Sequence, residues 1–178
     1  MQDNKITRVK ILEKIDTPDN VDKLFDSWTD KMGKVPEWAR VMAHCPDILL
    51  SFSNLLRKTM CEGSVSAEVK WKMAFHVSRV NECEYCTSVA HNKLHACGLD
   101  DEIVERIKNH KFEDLPKAEQ IVLEYGEAVT REAYKISDDL FNKLKNHYND
   151  QQIVELTSVI GLFNYINRFN DALRVIPE

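Results

Sequence analysis

The chain has 178 residues, 24 of them Lys or Arg and 29 Asp or Glu, for a formal net charge of −5. That length suits one domain, two at most. The acidic balance argues against nucleic acid or an anionic membrane as partner, since both attract a basic face. Only five glycines and five prolines interrupt the chain, which excludes collagen-like or Gly-rich disordered material and points to long helices with few turns.

Residues 1–20 are polar and are expected to form a loose segment ahead of one helical domain over 21–178. Asp19 or Asn20 can cap a helix over about 21–32, with Val21, Leu24, Phe25, Trp28 and Met32 on one face and Gly33 at its end. Pro36 opens a short helix to about His44, and Pro46 a longer one to about Met60, closed by Gly63. Ser64 or Ser66 caps a helix over about 66–80, where Val69, Met73, Ala74, Val77 and Val80 recur at helical spacing. Asn81-Glu82-Cys83-Glu84 is a polar break without Gly or Pro and predicts a tight connection. The next helix runs from Cys83 or Glu84 to Ala96, ended by Gly98, and Asp100 caps another to about Asn109. Further helices cover about 116–131, Ser137 to about His147, and Asp150 to about Arg174. No segment alternates in the manner of a strand, so the predicted class is all-α. No apolar run nears the roughly 20 residues of a membrane span. The opening residues lack an apolar signal segment, which gives the expectation of a cytoplasmic protein.

Of the five cysteines, Cys45, Cys61 and Cys97 stand alone and read as small buried hydrophobes. Cys83 and Cys86 form a Cys-x-x-Cys pair. An odd cysteine count in a cytosolic chain fits a disulfide framework poorly. Three readings of the pair stand side by side. Both thiols can be simply buried. Cys83, Cys86, His91 and His95 can be set against the ligand order of a zinc finger, although only four residues separate the two halves and all fall on one helix. Or the pair does thiol redox chemistry. Two cysteines three apart on the first turn of a helix can close a disulfide, and the free amides and helix dipole there favour thiolate. A thiolate attacks peroxide or disulfide and its neighbour resolves the product. His91 can move a proton. A thioredoxin-like setting is excluded, because no βαβ pattern surrounds the pair.

The stretch Asn81-Glu82-Cys83-Glu84-Tyr85-Cys86 resembles the alkylhydroperoxidase D-like group of the carboxymuconolactone decarboxylase superfamily, marked by Asn-x-Cys-x-Tyr-Cys and a following His. Lys34-Val35-Pro36, His44-Cys45-Pro46, Gly98-Leu99 and Phe163-Asn164-Tyr165-Ile166-Asn167-Arg168 are similar to further segments of its peroxidase-related subgroup. The resemblance spans roughly residues 30–178. It implies an antiparallel all-α helical bundle that assembles into homo-trimers or hexamers. It also implies an antioxidant, peroxiredoxin-type enzyme that reduces a hydroperoxide substrate through a Cys83–Cys86 dithiol/disulfide cycle, recharged by a dithiol electron-donor protein, with neither cofactor nor metal. Cys86 is the expected attacking thiol and Cys83 the resolving one. The alternative is a thiol-disulfide reductase or a redox-sensing helical oligomer.

Two positions depart from the family pattern. The family His stands four residues after the second Cys, where this chain has Ala90; His91 is five after Cys86. On a regular helix four residues turn about 40° past a full circle and five about 140°, so either an extra-residue bulge turns His91 back or it faces away. The family Glu, twelve before the first Cys, is here Trp71; Glu68 and His76 on the same helix are the other candidate proton relays. Asn164, Asn167 and Arg168, polar groups in an apolar helix, are expected to satisfy one another across a helix or subunit boundary.

Overall fold

A computed structural model describes residues 7–176. Among the described residues nine α-helices and two short 3-10 turns account for the regular structure, with no strand, as the class prediction requires. The helices are α1 (Asp19–Met32), α2 (Glu37–Met42), α3 (Pro46–Cys61), α4 (Ala67–Val80), α5 (Glu84–Ala96), α6 (Asp101–Lys108), α7 (Lys117–Glu132), α8 (Asp138–Lys145) and α9 (Asp150–Leu173). No described helix is long and apolar enough to cross a membrane. By contact density the chain divides into two compact units, residues 1–57 with 169–178, and 58–168.

In the first unit α1 begins two residues ahead of its predicted start, because Pro18, extended at φ −76°, serves as the N-cap and puts Asp19 and Asp22 in the first turn, where the dipole favours them. Gly33 ends α1 at φ 79°. Trp38 stands edge-on to Trp28 at 5.5 Å and to Phe52 at 5.3 Å, forming an aromatic core with Val21 and Phe25. Residues 1–6 of the segment expected to be loose lie outside the described residues. From residue 8 onward the segment is tied down: Arg8 N–H donates to Leu173 O at 2.9 Å, Leu12 N–H to Arg40 O at 3.3 Å, and the Leu12 side chain is buried.

In the second unit α4 packs on both α5 and α7. Its residues Lys72–Ser78 are all buried, so the helix is enclosed over two turns rather than on one face. Its two buried lysines are paired: Lys72 Nζ lies 2.6 Å from both Glu68 and Glu119, and Lys70 Nζ 3.3 Å from Glu155. Gly126 lets α7 approach α4, since a Cβ there would collide with the Met73 sulfur. Gly63, at φ 102°, turns the chain so that the Glu155 carboxylate accepts from the Ser64 N–H at 2.8 Å and the Val65 N–H at 3.0 Å.

Candidate active site

The connection from α4 to α5 is as short as its polar sequence suggests. Asn81 caps α4, and Glu82 follows in the left-handed region at φ 59°. Glu82 N–H donates to Arg79 O and Cys83 N–H to Ser78 O, both at 3.0 Å. This is the Schellman ending usually made by glycine. Cys83 then doubles as the N-cap of α5: its Sγ accepts from the Cys86 N–H at 3.4 Å. One residue thus ends one helix and begins the next, which leaves its sulfur no room to wander.

Both thiols are buried, and their sulfurs stand 2.7 Å apart. A disulfide needs about 2.05 Å, so the two sulfurs lie within a short shift of bonding distance. Cys83 is at the cap and Cys86 at the third position of α5, where unpaired helix amides lend positive potential to a sulfur anion.

A polar clamp holds the turn. Asn81 Nδ2 donates to both Asn164 Oδ1 and Asn167 Oδ1 at 2.9 Å. Asn167, fully buried, donates to Ser78 Oγ at 3.1 Å, and Asn164 to Thr130 Oγ1 at 3.3 Å. Arg168 closes the set on Asn164 Oδ1 at 2.6 Å. The expected mutual satisfaction of Asn164, Asn167 and Arg168 therefore runs through Asn81 and Ser78, at the root of the thiol pair.

Beside the pair lies an open cavity of about 420 Å³ lined by Phe75, Arg79, Glu82, Glu84, Thr87, Ser88, His91, Glu105 and Lys108. It touches the sequence neighbours of both cysteines. Helix α5 is regular α-helix, with no bulge. Cys86, Ala90 and Leu94 accordingly share its buried face, and His91 turns to the face of Ser88 and His95. His91 Nε2 hydrogen-bonds His95 Nε2 at 3.3 Å, while His95 Nδ1 bonds Leu99 O at 3.0 Å.

The other two relay candidates lie apart from this cavity. Glu68 is bound to Lys72. His76 is fully buried beside Glu127, His110 and Phe112. Burial pushes its imidazole down to about 4 against the attraction of Glu127, so it is neutral at pH 7. Trp71 stacks edge-on to Phe163 at 6.0 Å. Sequence reading missed the charged cavity wall of Arg79, Glu105 and Lys108; nothing at those positions distinguishes them from an ordinary solvated helix face.

No protein-family model matches the chain. It is 27% identical over 108 residues to the uncharacterized protein YnjA of Escherichia coli, a match over 60% of this chain that spans 59% of that relative's length. Among solved structures it is similar to an uncharacterized peroxidase-related protein of Silicibacter sp. TM1040, with TM-score 0.89 and 24% identity over 100% of this chain and 95% of that one. It is also similar to an alkylhydroperoxidase AhpD core protein of Ralstonia eutropha, with TM-score 0.88 and 20% identity over 97% and 93% of the two chains. A Cys-to-Ala variant of the debrominase Bmp8 bound to 2,3,4-tribromopyrrole matches with TM-score 0.84 and 21% identity over 97% and 92%. The chain therefore has the all-helical alkylhydroperoxidase D-like fold of these peroxidase-related proteins.

Proposed function

We propose that the protein is a thiol-dependent peroxidase working through a Cys83–Cys86 dithiol/disulfide cycle. The observation that carries this reading is the pair of sulfurs 2.7 Å apart on the first turn of one helix. In the first step the Cys86 thiolate attacks the terminal peroxide oxygen of a hydroperoxide. The S–O bond forms, the O–O bond breaks, and the alkoxide leaves as alcohol after taking one proton. Sulfur loses two electrons and the peroxide gains them. The Cys83 thiol then displaces water from the sulfenic acid, giving the disulfide. A dithiol donor protein returns two electrons and two protons. Of the three relay candidates only His91 lines the cavity; with α5 regular it faces away from Cys86, so it would deliver a proton through the cavity rather than by touching the thiol, whereas Glu68 is held by Lys72 and His76 by its burial.

The debrominase neighbour shows that proteins of this fold carry other activities. The cavity wall here speaks for the peroxidase instead: Phe75 is its one aromatic residue, and Arg79, Glu82, Glu84, Glu105 and Lys108 are charged. That lining suits a small polar hydroperoxide better than a halogenated ring.

The test is reduction of tert-butyl hydroperoxide with a dithiol recycling system, together with mass mapping of the oxidised protein. Turnover with a Cys83–Cys86 disulfide, lost in both Cys83→Ser and Cys86→Ser, supports the peroxidase. A disulfide without turnover points to the reductase or sensor reading, and turnover surviving in both variants overturns the thiol mechanism.

A further inference from the structure

His76 poses an unsolved problem of its own. It is a fully buried imidazole, and neither ring nitrogen completes a hydrogen bond. Leaving such a group unsatisfied is destabilising, because its lost contacts with water are not replaced. Its Nε2 stands 3.5 Å from Glu127 Oε2, at the outer edge of hydrogen bonding. The same oxygen lies 3.5 Å from His110 Nδ1, and the three atoms fall within 4.8 Å of one another.

The two separations of 3.5 Å to the Glu127 oxygen fit a shared metal better than they fit hydrogen bonds. Ligand bonds of about 2.0–2.2 Å in a tetrahedral zinc site place neighbouring ligand atoms about 3.3–3.5 Å apart. The three side chains come from α4, from the turn after α6, and from α7, so they converge on one point from separate elements, as ligands of one ion must.

The backbone at His110 points the same way. His110 N–H donates to Ile107 O and Lys111 N–H to Arg106 O, a second Schellman ending, with His110 in the left-handed position at φ 56°. Glycine is favoured there and a side chain is strained, so the imidazole is held at that place at a local cost. Phe112 packs at 5.1 Å on His76 and 5.9 Å on His110, supplying an apolar wall.

We propose that His76, His110 and Glu127 bind a divalent transition-metal ion of the zinc type. Two imidazoles and one carboxylate are the His2Glu donor set of open zinc sites, and the partial exposure of His110 and Glu127 leaves the fourth position to water. A desolvated neutral imidazole presents its lone pair without a proton to displace. His76 Nδ1 has no acceptor to orient the ring; such outer partners are worth about 10–100-fold in affinity, so the site binds more weakly than a fully buttressed one. The other histidine cluster, His91 with His95 and Asp101, already has its hydrogen bonds made, and Asp101 is fully exposed to water.

The probe is cobalt(II) alone, titrated into chelator-treated reduced protein. The expected result is one tetrahedral cobalt per chain, with visible d–d absorption and no thiolate-to-metal charge-transfer band. Affinity should fall at least about tenfold in His110→Ala and in Glu127→Gln, two partly exposed positions whose variants are checked for native circular dichroism. His95→Ala should leave it unchanged. The absence of tetrahedral cobalt overturns the proposal. So does a charge-transfer band that vanishes in Cys83→Ser, and so does binding lost in His95→Ala but kept in His110→Ala. None of these readouts depends on peroxidase activity.

Discussion

The Cys83 sulfur accepts a hydrogen bond from the backbone N–H of Cys86. In the proposed cycle the cap of α5 and the resolving thiol are the same atom. Serine is a strong N-cap, so Cys83→Ser should keep the helix start and the melting temperature while losing turnover. Cys83→Ala should lose turnover and about 0.5–2 kcal/mol of stability. In both variants the Cys86 sulfenic acid has no resolving thiol and should accumulate, as detected by a sulfenic-acid trap and mass spectrometry. Equal stability of the Ser and Ala variants would show that the cap bond contributes nothing.

Asn81 joins the thiol turn to both Asn164 and Asn167. Asn81→Ala removes a donor from both amide oxygens; that of Asn164 keeps Arg168 at 2.6 Å, so the cost falls on the oxygen of fully buried Asn167. A loss of about 1–3 kcal/mol is expected in urea denaturation, with a larger fractional loss of peroxidase activity than of stability at assay temperature, because the displaced turn carries Cys83. Asn81→Asp should be worse still at neutral pH, having no N–H to give. Activity unchanged in a folded Asn81→Ala would separate the clamp from the chemistry.

Three helix starts were legible from their cap residues: Ser66, Asp100 and Ser137 each accept from the amide three residues on, whereas the cap expected at Asp19 or Asn20 is supplied by Pro18. The endings at Glu82 and His110 were not legible as left-handed turns, because both lack the glycine that announces one. The thiol pair was legible because its chemistry sits within four residues. The cluster of His76, His110 and Glu127 was not, since only the packing of α4 against α7 brings together residues that lie far apart in the chain. Lys70 and Lys72 on α4 are both buried, each neutralised by a carboxylate from a helix distant in the chain, which nothing in their local sequence announces. For His91 the helical arithmetic held: a regular α5 turns it to His95, as five residues rather than four require.

Glu82 occupies a backbone region in which L-residues are strained. Glu82→Gly should relieve that strain, offset in part by the greater freedom of glycine in the unfolded chain, for a net gain of up to about 1 kcal/mol. Glu82→Val should lose more than 1 kcal/mol, since a β-branched side chain fits this region worst. The urea midpoints of the two variants, read against the native chain, check the order. A Gly variant less stable than the native protein would mean that the Glu82 carboxylate at the cavity wall outweighs the strain.

Glu155 sets the acid limb of stability. Burial alone would raise its carboxyl, but hydrogen bonds from the Ser64 and Val65 amides and the Ser64 hydroxyl, with Lys70 beside them, outweigh it and hold the group at about 2 against an ordinary 4.5. A group depressed in the folded state stabilises fully above its unfolded value, and that contribution fades as the pH falls from about 4.5 through about 2. Glu155→Gln should therefore cost on the order of 2 kcal/mol at pH 7, after allowance for solvent around a partly exposed carboxylate. The gap to the native protein should narrow below pH 4.5. Gly63→Ala should reach the same carboxylate from the other side. Its new Cβ would stand 2.5 Å from the Glu155 carboxyl carbon at a backbone φ of 102°. Thermal melts of all three proteins between pH 7 and pH 2.5 decide the matter, and parallel native and Glu155→Gln curves across that range would remove Glu155 from the acid limb.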